Sequence, residues 1–437
     1  MKFLLYSQSG EGCQILKRIS LEGNDCTCYI QDEAFETCFD GLLTKVKVPK
    51  PDKDTIVLFD MSGNGESADS WRNQGIKVYG ASVFADKLEH DRAFGFETMQ
   101  QAGIKIPEYE EFTDFSHGKQ YVRSANKRLV FKPSGSLPTK LTYVPGKDRP
   151  EEELLAYMNF VEKQYKKYIK SFILQEFIEG VVVSSEAFCD GEKFLYPLNH
   201  TVEVKKSMND DLGPSTGCSG NITWATDYNR ITEEGISLAE AVCVSNQYVG
   251  QLDLNCVVND TGVYGLEWTP RFGYDATPTL ISLLNMDLAE FFSGIVLQQI
   301  KEINISGYYA GGVRVTIPPY PAEAKDDHDL DALAKASSGV PILNYEKFDE
   351  DLYFYEVCLV DADATASATL IHSGGSGVIA CAMGQAEDEM DCLDNCYNAL
   401  EELVIPDKQY RTDLHTVLPE MVQQVLTLAE GGKNATA

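Results

Sequence analysis

Short strands that alternate with amphipathic helices dominate residues 1–100 and restrict the fold of this part strongly. Residues 55–60 read TIVLFD, a continuous apolar run typical of a parallel strand whose sheet is buried on both faces. Lys2–Tyr6 and Ile76–Tyr79 are predicted as further strands, and Gly12–Leu21 fits an intervening helix. This rhythm predicts a doubly wound, parallel α/β sheet at the start of the chain.

The chain has 437 residues, a length that suggests about two to three domains. A single helix is predicted over Ala85–Ala102, with Gly103 at the stop position, and the pattern changes after it. We therefore expect a parallel α/β domain, an α+β domain with a lid lobe, a small C-terminal α+β domain and a disordered tail. Their expected limits are 1–103, 104–315 with the lid lobe at about 122–192, 316–430, and 431–437.

The charge balance restricts the partners. With 37 basic and 67 acidic residues the net charge is −30, which argues against binding a nucleic-acid backbone or an anionic membrane surface. No apolar run is long enough to predict a transmembrane helix. Twelve cysteines without zinc-site spacing favour reduced, buried thiols. We expect a cytoplasmic protein with small-molecule partners, as a monomer or a homodimer.

One stretch, Val263–Gly273, combines oxygen ligands with a guanidinium group. Residues two apart on a strand face the same side, so Glu267, Thr269 and Arg271 are expected to share a face. Hard oxygens suit magnesium, and the planar fork of arginine suits phosphate oxygens. The pattern fits a magnesium-bound triphosphate site, and a surface Glu–Arg pair at a strand end is the alternative.

Three loops are candidate anion sites. Lys132 and Lys140 flank a flexible hairpin loop and can point at one anionic ligand, or can be solvated on an exposed hairpin. The turn-rich segment 211–220 can cradle an anion with backbone amides and hydroxyls, or can be a plain Gly/Pro loop. The first strand–helix turn, residues 7–12, lacks the G-x-G-x-x-G pattern and fits a tight turn or a phosphate cradle.

Six motifs occur in one order. Their family patterns are L-E-x-S-K, V-V-K-A-D-G-L-A-A-G-K-G, E-E-F-L-x-G-E-E, D-H-K…T-G-P-N-T-G-G-M-G, E-F-N-x-R-F-G-D and G-G-R-V-L. The matching segments here are Leu88–Arg92, Val130–Lys140, Gln175–Val182, Glu203–Lys205 with Leu212–Gly220, Glu267–Tyr274, and Gly374–Val378. The chain therefore resembles ATP-grasp enzymes, specifically the phosphoribosylamine–glycine ligase (glycinamide ribonucleotide synthetase) family, nearly from end to end.

The resemblance implies a Rossmann-like pre-ATP-grasp domain, a two-lobed ATP-grasp domain and a small C-terminal α+β domain. It also implies ATP with Mg²⁺ or Mn²⁺, and an amino acid and an amine as substrates. ATP would phosphorylate a carboxylate, and an amine would displace phosphate from the acyl phosphate to form an amide. The protein would contribute positioning and electrostatics rather than covalent chemistry.

The resemblance also assigns roles to residues. Catalysis is assigned to Arg271 and Lys140. The residues expected to bind ATP are Arg92, Lys132, Lys140, Gln175, Glu176, Phe177, Ile178 and Glu186. The expected metal ligands are Glu267, Thr269 and Asp253. The residues expected to bind the other substrates are Lys205, Gly213, Pro214, Ser215, Thr216, Gly217, Gly273 and Asp275.

The chain departs from the family near the expected site. Thr269 replaces a metal-binding asparagine, for which Asp253 or Asn255 on the preceding strand can compensate. Val182 occupies the position of the carboxylate that holds ribose, a role that Glu179 or Glu186 can take. The N-terminal G-S-G-G-R-E-H-A signature lacks its basic residues. A ligase with another amine or nucleotide substrate, and a nucleotide-binding protein without turnover, are therefore alternatives.

Overall fold

A computed structural model describes residues 1–134, 141–322, 332, 335–360 and 368–431. The chain opens with a parallel five-stranded sheet in the order β3-β2-β1-β4-β5. Its strands are β1 (Lys2–Ser7), β2 (Asp25–Ile30), β3 (Thr44–Lys45), β4 (Thr55–Phe59) and β5 (Lys77–Tyr79). The helices of this region are α1 (Cys13–Leu21), α2 (Gly65–Asn73), α3 (Val83–His90) and α4 (Arg92–Ala102).

Both faces of this parallel sheet are buried, as the TIVLFD run predicts. All five residues of β4 are buried, and alternate residues enter different cores because successive side chains on a strand point to opposite faces. Ile56 and Leu58 pack in the core that contains α1, whereas Val57 and Phe59 pack in the core that contains Ala68 of α2. The predicted α/β class of this region is confirmed.

A small antiparallel sheet follows, in the order β6-β8-β7, and two helices pack with it around a separate core. Its elements are β6 (Tyr109–Phe112), α5 (Phe115–Ser124), β7 (Leu129–Pro133), α6 (Pro150–Tyr165) and β8 (Phe172–Glu176). This small lobe carries Lys132 on β7. Lys140 lies outside the described residues.

The largest sheet is antiparallel, with the order β13-β12-β9-β10-β11-β14-β18-β15. Its strands are β9 (Val181–Asp190), β10 (Phe194–Lys206), β11 (Ser215–Thr226), β12 (Val249–Asn259), β13 (Gly262–Thr269), β14 (Tyr309–Thr316), β15 (Leu352–Phe354) and β18 (Val378–Ala386). Two further strands, β16 (Val357–Val360) and β17 (Thr369–His372), form a hairpin-like pair. The remaining helices are α7 (Arg230–Glu234), α8 (Glu240–Ser245), α9 (Ala276–Ser282), α10 (Leu288–Val296), α11 (Glu389–Glu402) and α12 (Leu414–Ala429).

The sheets do not follow the predicted domain limits at every point. β9, which the predicted lid lobe included, pairs with β10 and β12 of the large sheet, so the small sheet ends at residue 176. β14 and β18 pair across residue 315, which extends the large sheet into the predicted C-terminal region. The domain limits therefore stay a prediction. Of the predicted tail, residues 431–437, only residue 431 lies in the described ranges.

The single helix predicted over residues 85–102 is in fact two helices. Asp91 has extended backbone angles (φ −104°, ψ 93°), and its carboxylate accepts a hydrogen bond from the Phe94 amide at 3.1 Å. Aspartate in this conformation is a favoured N-cap, so it starts α4 rather than continuing α3. The break places Arg92 at the first position of a new helix.

The segment 211–220 was predicted as a loop, but β11 begins at Ser215 and pairs with β10. Only residues 212–214 form the turn, where Gly213 adopts φ +76°. The hydroxyl-bearing residues that follow are therefore held on a strand. None of the helices in the described ranges combines the length and the apolar character needed to cross a bilayer.

Candidate active site

A cavity of about 340 Å³ lies where the α3–α4 junction faces the strands β10 to β13. We refer to it as the first cavity. The predicted residues that line it are Arg92, Lys205, Thr216, Gly217, Asp253, Glu267, Thr269, Arg271 and Gly273. Catalytic, metal and substrate residues that are up to 181 positions apart in the sequence thus meet at one place.

Four oxygen-bearing side chains come together on two adjacent strands. Asp253 of β12 is paired with Thr269 of β13, and Asn255 with Glu267, so alternation along both strands presents all four to the cavity. The Asn255 amide donates to Asp253 Oδ2 at 3.0 Å, and Asp253 Oδ1 is buried without a hydrogen-bond partner in the described structure. Burial and the carboxylates of Glu186 and Glu203 raise the pKa of Asp253 well above its usual value.

This donor set suits a divalent cation. A buried carboxylate oxygen without a partner is costly, and a hard cation would satisfy it. Among the described residues no three acidic, histidine or cysteine side chains converge on one point. Magnesium commonly binds one or two carboxylates together with phosphate oxygens and water, so Asp253, Glu267 and Thr269 fit such a site with ligand oxygens completing the shell.

Glu267 is ionised because cations surround it. Burial by protein atoms opposes its charge, but the fields of Lys205, Lys132, Arg92 and Arg271 outweigh burial and lower its pKa. The side chain itself is exposed to the cavity. Glu89, Glu203 and Asp253 line the same cavity, so cations and carboxylates alternate around it. This mixture suits a polyanionic ligand that binds together with a divalent metal ion.

Arg271 follows the end of β13 rather than lying on the strand, yet it lines the same cavity. Its Nε and Nη2 both contact Glu89 Oε1 at 3.0 Å, and Nη1 donates to the Phe272 carbonyl at 2.9 Å. Burial acts against its charge, but Glu89 and other neighbours raise the pKa of Arg271. The Tyr274 ring lies between two guanidinium groups, 5.3 Å from Arg271 Cζ and 5.3 Å from Arg314 Cζ.

Lys132 approaches this cluster from the small lobe. Arg92 links the lobes through Nη2, 3.5 Å from the Pro133 carbonyl, while its buried Nε has no partner in the described structure. Burial, aided by the charge of Arg92, lowers the pKa of Lys132 to about 8. Lys132 therefore carries its charge near neutral pH and loses it as the pH rises above about 8.

Polyphosphate binding is expected to weaken as pH rises above about 8, because free Lys132 is then neutral and binding must take up a proton. The loss should approach about tenfold per pH unit. ADP affinity measured by calorimetry on either side of this pKa, in buffers of different ionisation enthalpy, tests this. The Lys132→Arg variant keeps its charge across this range, so its ADP affinity should change little with pH. A wild-type protein whose ADP affinity does not change with pH would contradict this prediction.

A second cavity, of about 330 Å³, adjoins the first. The two share Thr216, Gly217 and Tyr274 as lining residues. The second cavity is otherwise lined by the first strand–helix turn (Ser9–Glu11), by Ser215, and by residues of β14 to β18 including Arg314, Tyr355, Glu356 and Ser376. The N-terminal turn and the Gly374–Val378 motif thus meet at this cavity.

Asp275 is fully buried and is engaged by neighbouring side chains. Arg314 Nε and Nη2 donate to its two oxygens at 2.8 and 3.0 Å, and the Tyr355 hydroxyl donates at 2.7 Å. The relative exposure of the two charged side chains is 0% for Asp275 and 5% for Arg314. This geometry indicates that Asp275 holds Arg314, and a contact of Asp275 with substrate stays a prediction.

Several predicted ATP residues lie away from the first cavity. Gln175, Glu176, Phe177 and Ile178 do not line it, and the amides of Glu176 and Phe177 already donate to the carbonyls of Glu108 and Arg128. The Glu176 carboxylate contacts Lys127 Nζ at 3.1 Å. Their contribution to adenine binding stays a prediction.

Glu186 does not line the first cavity either, although it is the cross-strand neighbour of Asp253, which does. It is 0% exposed, and it accepts hydrogen bonds from the Asn199 and Gln251 amides at 2.8 and 3.2 Å. Burial raises the pKa of Glu186 to about 7. These hydrogen bonds give Glu186 a structural role within the sheet, and its contribution to ATP binding stays a prediction.

The remaining predicted substrate residues divide into two groups. Ser215 lines the second cavity. Gly273 lines the first cavity, and its amide donates a hydrogen bond to Thr277 Oγ1 at 2.8 Å. Gly213 and Pro214 form the exposed turn before β11, where the Gly213 carbonyl accepts from Lys206 Nζ at 3.2 Å. The structure does not bring these two residues to either cavity.

Sequence reasoning gave no role to Glu89, Tyr274, Arg314 or Glu11. Arg314 carried a signal, since it is a lone charge within the apolar strand at residues 309–316. Glu89 lies within a quoted motif, but its pairing with a residue 182 positions away has no local sequence signal.

The chain is similar to a known enzyme family over much of its length. A family model described as phosphoribosylglycinamide synthetase, ATP-grasp (A) domain, matches residues 90–277. A phosphoribosylamine–glycine ligase of Fusobacterium nucleatum is 22% identical over 359 residues, with 80% of each chain covered. A bifunctional purine biosynthetic protein of Pichia angusta is 24% identical over 374 residues. That match covers 82% of this chain, which spans only 44% of the length of the relative.

Solved structures agree on the fold. A phosphoribosylamine–glycine ligase from Thermotoga maritima superposes with a TM-score of 0.71 at 18% identity, covering 94% of this chain and 99% of its own. A biotin carboxylase from Campylobacter jejuni superposes with a TM-score of 0.61 at 14% identity, covering 93% and 92%. The predicted combination of a parallel α/β region with α+β regions is confirmed.

Proposed function

We propose that the chain is an ATP-dependent carboxylate–amine ligase, because residues 90–277 match the family model described as phosphoribosylglycinamide synthetase, ATP-grasp (A) domain. The reaction that the relatives' names indicate joins glycine to phosphoribosylamine. ATP is converted to ADP and phosphate, and the product is glycinamide ribonucleotide. Because the chain spans less than half of its bifunctional relatives, the proposal concerns this ligase step alone.

One observation carries the proposal: the oxygen ligands Glu267 and Asp253 and the cations Arg92, Lys205 and Arg271 line one cavity, which adjoins a second cavity. Together these groups suit a nucleotide polyphosphate that carries a divalent metal ion. The second offers a separate site for an acceptor. Two adjoining sites are what a reaction with a phosphorylated intermediate needs, since the intermediate must be formed and then attacked without reaching water.

In the first step the substrate carboxylate attacks the γ-phosphorus of ATP. Arg92, Lys132 and Lys205 neutralise the phosphate oxygens, and Lys140 is expected to assist. Glu267, Asp253 and Thr269 would hold Mg²⁺ or Mn²⁺, which supplies charge neutralisation on the phosphates. Glu89 favours the charged form of Arg271. Arg271 lines the first cavity, where its charge would stabilise the acyl phosphate.

In the second step the amine attacks the acyl carbon, and phosphate leaves. Thr216, Gly217 and Tyr274 line both cavities, so the acyl carbon is expected next to them. Tyr274 is fixed between Arg271 and Arg314, which limits its motion at this junction. Positioning of the two reactants is the main contribution of the chain to this step.

The proposal is tested by phosphate release from MgATP with glycine, with and without freshly prepared phosphoribosylamine. Release that needs both reactants, with glycinamide ribonucleotide detected by mass spectrometry, supports the proposal. Release with other amines or amino acids alone would assign a different substrate. ATP binding without release across a broad panel of carboxylates and amines would contradict ligase activity.

A further inference from the structure

Tyr274 supplies most of the wall between the first cavity and the second. Among the described residues, only Thr216, Gly217 and Tyr274 line both cavities. Tyr274 is 37% exposed, so its ring lies in the open space of the cavities rather than in a hydrophobic core. The family pattern E-F-N-x-R-F-G-D ends in aspartate at this position, so the larger tyrosine is a departure of this chain.

Two guanidinium groups contact the Tyr274 ring. Arg271 Cζ and Arg314 Cζ each lie 5.3 Å from the centre of the ring, which is within the range of cation–π attraction. Each guanidinium is itself held by a carboxylate, Arg271 by Glu89 at 3.0 Å and Arg314 by Asp275 at 2.8 and 3.0 Å. The ring therefore has little freedom to turn away from the junction of the cavities.

The backbone that carries Tyr274 is fixed as well. Its carbonyl accepts a hydrogen bond from the Tyr355 hydroxyl at 3.1 Å, and the Gly273 amide donates to Thr277 Oγ1 at 2.8 Å. The next residue, Asp275, accepts from the same Tyr355 hydroxyl at 2.7 Å. Backbone and ring are both held in place before any ligand binds, as a group that selects substrates by shape requires.

The Tyr274 ring packs directly against the backbone of Gly217. A Cβ added to Gly217 would lie 2.9 Å from both Cδ2 and Cε2 of the ring, closer than the contact distance of two carbon atoms. Gly217 belongs to β11, so its backbone is held in the large sheet. The Thr216 hydroxyl donates to the Lys205 carbonyl at 2.9 Å and is already engaged. Tyr274 is thus the bulky member of the three shared residues.

The proposed reaction requires the acyl carbon of the carboxylate substrate to lie at this junction. The carboxylate must reach the γ-phosphorus of ATP in the first cavity, and the amine must attack the acyl carbon from the second. The α-carbon is one bond away from the acyl carbon, so a side chain on it must fit beside the shared wall. Because Gly217 has no side chain and Thr216 has a short one, such a side chain would meet the Tyr274 ring.

We propose that Tyr274 is a specificity-determining residue that limits the carboxylate substrate to one without a side chain on its α-carbon. This rests on the proposed ligase function, and it gives a structural reason why glycine would be selected over larger amino acids. A methyl group on the α-carbon would overlap a ring that cannot move aside. A fixed group that clashes with the larger competitor selects against it without a new contact to the correct substrate.

Competition between two amino acids tests this inference. The protein is incubated with MgATP, freshly prepared phosphoribosylamine and equal concentrations of glycine and alanine, and mass spectrometry separates the two amide products. L-alanine and D-alanine are tested separately, because only one α-hydrogen of glycine can face the ring. The wild type should form almost only the glycine product. Tyr274→Ala should raise the relative yield from one alanine enantiomer by about 10–200-fold, the usual range for a group of this size.

Two control variants separate the bulk of the ring from other effects of the substitution. Tyr274→Phe keeps the ring and should keep the wild-type product ratio. Tyr228→Ala, the same truncation at a residue that is 61% exposed and lines neither cavity, should also keep it. If the ring only supported Arg271, its loss would slow the reactions of glycine and alanine alike. The product ratio therefore reports selection rather than general damage to the site.

A second pair of variants tests the same contact from Gly217. Gly217→Ala places a methyl group 2.9 Å from the ring and should displace it into the junction. Amide formation with glycine should fall by about 10²-fold, the loss that a shift of about 1 Å in a reacting group can cause. Adding Tyr274→Ala removes the clash, so the double variant should recover the activity of Tyr274→Ala alone.

An unchanged product ratio in Tyr274→Ala with both enantiomers would overturn the inference. A wild type that forms the glycine and alanine products equally would also overturn it. The same would follow if Tyr274→Phe shifted the ratio as far as Tyr274→Ala, because the hydroxyl rather than the ring would then select the substrate. A wild type that forms no amide from glycine would instead overturn the proposed function, which separates the two failures.

Discussion

Glu267→Gln is expected to reduce ATP-dependent phosphate release by about 10³-fold or more, equivalent to several kcal/mol of charge stabilisation. The variant keeps the shape of the side chain but removes the negative charge that Arg92, Lys132, Lys205 and Arg271 stabilise. It also removes one of the two carboxylates of the proposed metal site, where Asp253 and Thr269 would remain.

The fold should survive this change, because the Glu267 side chain is exposed to the cavity and no hydrogen bond within the described chain depends on it. Thermal unfolding should therefore match wild type, and magnesium should no longer stimulate the residual activity. Glu420→Gln, the same change at an exposed position of α12, is the matched control. Near-wild-type turnover in Glu267→Gln would refute the assignment of Glu267 as the main metal ligand.

Asp275→Ala should destabilise the protein by about 3–5 kcal/mol, the usual cost of removing one partner from a buried ion pair. Arg314 would keep its charge at 5% exposure with no carboxylate to accept its two hydrogen bonds. The Tyr355 hydroxyl would lose the shorter of its two hydrogen bonds and keep the one to the Tyr274 carbonyl at 3.1 Å. The urea midpoint of unfolding should fall accordingly.

A double replacement separates the structural role of Asp275 from a substrate role. Asp275→Leu combined with Arg314→Met removes both charges and should recover most of the lost stability, since apolar residues often replace buried ion pairs without cost. If Asp275 instead bound substrate, the single variant would unfold like wild type and show only a raised KM. Equal destabilisation of the single and double variants would also contradict the pairing.

Strand periodicity explains why much of the fold and the metal cluster could be predicted. The alternation along β4 places its side chains in two cores, and the same rule brings Glu267 and Thr269 to one cavity. The six motifs predicted an ATP-grasp domain, and the match over residues 90–277 confirms that resemblance. Lys140 stays a prediction, because it lies outside the described residues.

The ion pairs around the two cavities could not be predicted from the sequence, because tertiary packing brings their partners together. Asp275 and Arg314 meet because α9 packs against β14, and Glu89 reaches Arg271 because α3 lies over the end of β13. Nothing local distinguishes these residues from solvated charges. The sequence pattern predicted one helix over residues 85–102 and did not show the break at Asp91. Helical periodicity continues across an N-cap residue, so the packing of the two helices decides where the break falls.

Oxygen transfer from the carboxylate tests the central claim most directly. Glycine with ¹⁸O in its carboxylate is incubated with MgATP, phosphoribosylamine and the protein, and the released phosphate is analysed by mass spectrometry. An acyl phosphate intermediate predicts one ¹⁸O atom in each phosphate, because the bond from the acyl carbon to that oxygen breaks when the amine attacks. Unlabelled phosphate, released at the same rate with or without glycine, would show ATP hydrolysis by water and would contradict the account.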